Sequence, residues 1–171
     1  MDTENRRRQL LELLRKASKP ITGAELANHF NVSRQVIVQD IAILRASGEQ
    51  IFSSLQGYLI PSQPQESWKR SVVACCHTRD QIEDELGMIV DLGGRILDVI
   101  VEHPLYGELK GNLMIASRRD LRLFMDSLEK TAANPLSVLT GGVHLHTIEA
   151  PDQKVLGEII SSLDRAGFLV K

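Results

Sequence analysis

A chain of 171 residues with 43% apolar content, a net charge of −2 and two cysteines holds enough core-forming material for one large or two small packed domains. The composition excludes a polycation that coats nucleic acid without selection. It also excludes a disulfide framework, because Cys75 and Cys76 are adjacent, and no apolar run approaches the length of a membrane span. The start, MDTENRRRQ, lacks a signal-peptide core, so a reduced, cytoplasmic protein with no membrane partner is expected. Charge is uneven along the chain. Residues 1–62 hold eight Lys/Arg against six Asp/Glu, and residues 69–171 twelve against fifteen: a mildly basic head on an acidic body.

In chain order, Arg6–Ser18 gathers Leu10, Leu13, Leu14 and Ala17 on one face of a first helix. Lys19-Pro20-Ile21 interrupts it and can pair briefly as a strand. Thr22 and Glu25 stand at capping-box spacing and open a short second helix through Leu26, Ala27 and Phe30. Asn31-Val32 turns into a third helix that Ser33 caps and Gly48 stops. Ile37, Ile41 and Leu44 make its apolar stripe, which leaves Arg34, Gln35, Val38, Gln39 and Ala42 on the exposed side. Arg and Gln at the N-terminal end of such a helix suit paired hydrogen bonds to purine edges in a major groove. Two β-prone runs then flank a Gln56-Gly57 turn between residues 50 and 60, which reads as a hairpin.

Helix, turn, helix and hairpin in that order form a winged helix-turn-helix. Ala24-Glu25-Leu26-Ala27, Val32-Ser33-Arg34-Gln35, Asp40-Ile41, Leu44-Arg45 and Gly57-Tyr58 together resemble the module shared by biotin-operon-type and sugar-operon-type bacterial repressors. The expected DNA-facing residues are Ser33, Arg34, Gln35, Val38, Gln39 and Ala42, with Gln56 and Gly57 near a phosphate backbone. Such regulators often carry Arg or Lys where this chain has Val38 and Gln39. Phosphate contacts are therefore expected to fall on Arg6–Arg8, Arg34 and the wing.

A polar, Pro-interrupted stretch follows, so the expected domains are 1–62, a linker at 63–68, and 69–171. In the second domain Lys69–Cys76 reads as a strand ending at His77, and Thr78–Gln81 repeats the capping pattern before a helix carrying Ile82, Leu86, Ile89 and Val90 inward. A strand over Arg95–Val101, a loop over Glu102–Gly107 and a strand over Glu108–Ala116 come next. Ser117 caps a helix that Asn134-Pro135 breaks, Leu136–Thr147 is β-prone apart from Gly141-Gly142, and Pro151 opens a last helix. The order βαββαβα predicts an α+β two-layer sandwich with an antiparallel or mixed sheet and helices on one face.

Strand alternation puts His144 and His146 on one face of their strand, a ready chelating pair for a divalent transition metal. A solvated strand face explains such a pair as well. His77 and Glu85 are too far apart to meet within one helix, whose rise over eight residues is about 12 Å. They converge only if His77 ends its strand and folds back toward the next helix. Three imidazoles and a carboxylate would suit zinc, nickel, iron or manganese, whereas Glu85 on its own also reads as a solvated charge in an acidic run. The cysteines read as core. His103 and Tyr106, in the loop after the second strand, either bind a small planar acid or stabilise a turn.

The motifs Cys-His-Thr-Arg-Asp, Glu-Asp-Glu-Leu, Val-Glu-His-Pro-Leu-Tyr-Gly-Glu-Leu and Leu-Thr-Gly-Gly-Val-His-Leu-His-Thr-Ile, following a winged helix, resemble the three-histidine-domain regulators. These are bacterial repressors of NAD biosynthesis and niacin uptake that respond to nicotinic acid. The resemblance implies a homodimer on a two-fold DNA operator, nicotinic acid as corepressor, and one divalent transition metal per chain, nickel or zinc ahead of iron or manganese. It carries the metal ligands onto His77, Glu85, His144 and His146. His103 and Tyr106 are the expected effector residues. A repressor whose effector is the metal itself, or a small metalloenzyme with a regulatory winged helix, are the alternatives.

Overall fold

The computed structural model describes residues 2–60 and 68–171, and the chain divides into two compact units, Met1–Gln65 and Glu66–Lys171. The expected linker at 63–68 lies outside the described residues except for Trp68.

The first unit runs α1 (Thr3–Lys16), α2 (Gly23–Phe30), α3 (Arg34–Ala46), β1 (Phe52–Ser54) and β2 (Gly57–Leu59). Thr22 and Glu25 complete the capping box in both directions: the Glu25 amide donates to Thr22 Oγ1 at 3.2 Å, and the Thr22 amide to Glu25 Oε2 at 2.8 Å. Asn31 takes the left-handed conformation that ends α2, and Ser33 accepts from the Val36 amide to start α3. Leu10, Leu14, Leu26, Ile37 and Ile41 are buried together where the three helices meet, with Phe30 and Ile51 beside them. The brief strand at Ile21 is a single bridge to Tyr58.

The wing differs from expectation by one residue. Its tip is Leu55 and Gln56, and Gly57 already begins β2. A Cβ at Gly57 would lie 2.4 Å from the Ile21 carbonyl oxygen, and its φ is +125°, so only glycine lets the wing close on the Ile21 segment.

The second unit runs β3 (Lys69–Cys76), a 3-10 turn (Arg79–Gln81), α4 (Ile82–Asp91), β4 (Arg95–His103), β5 (Gly107–Ile115), α5 (Arg118–Lys130), a 3-10 segment (Leu136–Thr140), β6 (Val143–Ala150) and α6 (Gln153–Arg165). The sheet order is β3-β6-β4-β5, antiparallel throughout, which removes the mixed alternative. One sheet face carries Val73, Cys75, Ile96, Ile148 and Ala150 into a core shared with Leu86 and Ile89 of α4, Leu121 and Leu128 of α5, and Leu156, Ile159 and Leu163 of α6. A register shift between Ile96 and Asp98 changes which β4 residues face the helices: Ile96 pairs with Ile148, whereas beyond the bulge Val99 takes the place opposite His146.

Three expected boundaries move. The second strand continues through His103, so the turn is confined to residues 104–106. Pro151 precedes the last helix rather than entering it, because Asp152 is the cap and accepts from the Val155 amide at 2.9 Å. Residues 136–140 form a 3-10 segment instead of a strand. Pro135 fixes its own φ, its carbonyl accepts from the Val138 amide at 3.1 Å, and the left-handed Gly141 ends the segment. No helix among the described residues is long and apolar enough to cross a membrane.

Candidate metal centre

The α4 helix carries Glu85 in its first turns, and β6 passes directly beneath with His144 and His146 on its helix-facing side. His77 follows the last residue of β3, where the chain leaves the sheet for the Thr78 cap. Its ring therefore turns back toward α4. The Nε2 atom of His77 lies 2.6 Å from Glu85 Oε2, and those of His144 and His146 lie 3.4 Å from the same oxygen. The rings pack edge to face, with His77–His144 centroids 4.8 Å apart and His144–His146 centroids 4.7 Å apart. Glu85 is 1% exposed, and its second oxygen, Oε1, has no hydrogen-bond partner among the described residues.

The outer nitrogens explain why the three inner ones converge. His77 Nδ1 donates to the Thr78 carbonyl at 2.8 Å, His144 Nδ1 to the Gly142 carbonyl at 2.8 Å, and His146 Nδ1 to the Asp98 carbonyl at 2.6 Å. A carbonyl can only accept, so each Nδ1 carries the hydrogen and each Nε2 presents its lone pair inward when the ring is neutral. Orientation of ligand imidazoles by backbone carbonyls is the outer shell that metal sites use. Three Nε2 lone pairs, one buried carboxylate and an orphaned carboxylate oxygen are a donor set that fits a divalent transition ion.

Electrostatics point the same way. Burial alone would raise Glu85, yet hydrogen bonds from His144, His146 and His77 overcome this and hold its carboxyl far below the usual range. Burial lowers His77, but its bonds to Glu85 and the Thr78 carbonyl prevail and leave it above its ordinary value. The pocket thus stabilises positive charge around one carboxylate.

A cavity of about 230 Å3 opens beside this cluster, with His77, Glu85, His144 and His146 in its wall. The rest of the lining is apolar, chiefly Val99, Leu113, Phe124, Leu128 and Leu136, apart from Asn134 and Ser137. Gly111 keeps it open: a Cβ there would lie 3.3 Å from both Leu136 and Val99.

His103 and Tyr106 are not brought here. They stack on each other at the β4–β5 turn, with centroids 5.0 Å apart, and Tyr106 is 69% exposed. His103 Nδ1 accepts from the Leu105 and Tyr106 amides at 3.2 and 3.3 Å, the opposite tautomer from the three clustered histidines. The two residues expected to bind the effector are thus not among those lining this cavity, and their contacts stabilise the turn.

In the first unit Arg34, Gln35, Val38, Gln39 and Ala42 are all exposed along one side of α3. Ser33 is taken up by its cap, Gln56 is half-buried at the wing, and Gly57 faces Ile21. Arg6 is not available for phosphate, because its guanidinium grips Asp40 at 2.7 and 3.3 Å and joins α1 to α3. Arg45 is likewise tied to the Ile51 carbonyl and Ser53.

Sequence reasoning missed the cavity walls from α5 and the 3-10 segment, since nothing local marks Phe124 or Leu136 as sharing a pocket. It also set Cys75 aside. Cys75 is buried as expected, yet its sulfur, a Glu85 oxygen and a His144 nitrogen lie within 4.8 Å of one another. Its place two residues before His77 was the available signal.

Residues 70–171 match the 3H domain family, and residues 6–59 match an HTH domain family. The chain is 42% identical over 168 residues to a protein of Thermotoga maritima described as a probable transcription repressor, NiaR, covering 98% of this chain and 95% of that one. It is also 42% identical over 169 residues to the transcription repressor NadR of Bacillus subtilis, covering 98% and 94%.

Proposed function

The chain belongs to the 3H-domain family, with a helix-turn-helix domain ahead of the 3H domain, and from that premise we propose that it is a cytoplasmic, homodimeric repressor of NAD-biosynthesis and niacin-uptake genes with nicotinic acid as corepressor. The observation that carries the sensing half is the convergence of three Nε2 atoms on Glu85, each ring held by a backbone carbonyl, in the wall of an apolar cavity.

His77, Glu85, His144 and His146 would hold one divalent ion, nickel or zinc first. When bound, that ion supplies a Lewis acid able to take a pyridine nitrogen. The cavity is below the roughly 300–1,000 Å3 of drug-sized sites, which suits a single aromatic ring. Its apolar walls exclude water from such a ring, and Asn134 and Ser137 are the polar lining groups open to a carboxylate.

On the DNA side, Arg34 and Gln35 on α3 have the chemistry to read base edges, with Val38, Gln39 and Ala42 beside them for groove contact. The wing residues Gln56 and Gly57 and the Ser33 cap act close to the backbone. Nicotinate raises operator affinity only by the difference in its affinity for the DNA-competent and incompetent arrangements, typically about 1–3 kcal/mol.

The test is operator affinity of the metal-loaded protein with nicotinate, with nicotinamide and with neither, at fixed salt because phosphate contacts make affinity steeply salt-dependent. Tightening by nicotinate alone is expected. A full response to metal with no further effect of nicotinate would replace this reading with a metal sensor.

A further inference from the structure

The cluster has a fifth side chain that the reading above does not use. Cys75 lies on β3 two residues before His77 and directly opposite His144 in the β3–β6 register, so strand alternation turns its side chain to the same face. It is fully buried, and its Sγ, a Glu85 carboxylate oxygen and a His144 ring nitrogen all lie within 4.8 Å of one another. The cluster also holds an unsatisfied atom: Glu85 Oε1, buried on α4, has no hydrogen-bond partner among the described residues. The adjacent Cys76 is the internal contrast. It points to the other face of the sheet and is exposed.

Resting on the metal-centre reading, we propose that Cys75 Sγ is a fifth protein donor of that centre, making it a mixed thiolate, imidazole and carboxylate site that selects a thiophilic transition ion over magnesium or calcium. As the sulfur–metal bond forms, the thiol proton leaves to solvent. A thiolate is the form of cysteine that ligates a metal, and a bound cation stabilises it. In the absence of an ion the Cys75 thiol donates to Glu85, which keeps the sulfur turned toward the cluster. Cys75 is not among the residues lining the cavity, whereas the other four donors are. A sulfur donor therefore takes no part of the cavity wall from an incoming ligand.

X-ray absorption of the full-length, nickel-loaded wild-type protein tests this without any substitution, and one sulfur scatterer per nickel is expected. Cobalt-loaded protein gives the second reading. A near-ultraviolet thiolate-to-cobalt band should appear in the wild type and in Cys76→Ser and be lost in Cys75→Ser that still binds cobalt. Metal bound through nitrogen and oxygen alone, or a band that follows Cys76, overturns the proposal and leaves the four-ligand centre standing. Failure of the wild type to bind either metal overturns both.

Discussion

Each unit of this protein buries a carboxylate on a helix, and the two are treated differently. Asp40 on α3 is 2% exposed and has one cation, Arg6, whose two nitrogens meet its two oxygens. Glu85 on α4 is 1% exposed, has three imidazoles around one oxygen, and leaves the other without a hydrogen-bond partner among the described residues. The first is a closed pair that fastens α1 to α3. The second is over-supplied with donors on one side and undersatisfied on the other, which is poor design for stability alone. A satisfied buried charge marks architecture; an unsatisfied one among oriented donors marks a site. The same division holds for surfaces: the candidate residues of the first unit are exposed on α3, and those of the second are side chains that water scarcely reaches.

The widest separation between the two carboxylates comes from removing each. Glu85→Ala should weaken nickel or zinc binding by roughly 100-fold or more, since even outer-shell partners are worth 10–100-fold, as read by competition with a chelator; unchanged affinity would return Glu85 to the structural class. Asp40→Ala strands a largely buried guanidinium and should cost about 3 kcal/mol of stability in the first unit. Denaturant unfolding followed by domain should register this with metal affinity intact.

Acidity sharpens the comparison further. The raised His77 contributes stability that is complete below its ordinary value of 6.5 and is lost as pH rises through its higher folded value. The depressed Glu85 contributes stability above its ordinary 4.5 that is lost only as pH falls through its folded value. Metal-free protein should therefore be most stable between these two ordinary values and lose stability on going alkaline. Metal-loaded protein should show the reverse slope, because protons compete with the ion for Nε2. Melting curves with and without metal across that range check the crossing, and parallel slopes would count against the centre. The smallest effect is expected on α3, where Arg34→Ala should weaken operator binding by about 1–3 kcal/mol and leave metal binding untouched, as a gel-shift and a metal titration would together establish.

The two units were also unequally legible. The first folds through local rules, and Thr22, Glu25, Ser33 and Ile37 declare caps and stripe in the sequence itself. What escaped there was tertiary: Arg6 reads as a free cation until Asp40, 34 residues away, is seen beside it. In the second unit the element order and the face shared by His144 and His146 follow from alternation. The bulge at Ile96/Asp98 that sets Val99 opposite His146 has no local signature, and neither does the conversion of residues 136–140 from strand to cavity wall. His103 illustrates the limit of residue type alone, since a histidine near a sheet end looks like a ligand until its Nδ1 is found accepting from two turn amides. The resemblance to three-histidine regulators supplied the expected ligand set; the structure adds the convergence of its side chains and the carbonyl that each Nδ1 meets.

The claim that the Glu85 cluster and the adjoining cavity work as one effector site is tested most directly by calorimetric titration of nicotinate into the protein loaded with one equivalent of nickel and again after chelation. The account predicts stoichiometric binding to the loaded protein that is lost on stripping the ion. Equal nicotinate affinity in both would contradict it.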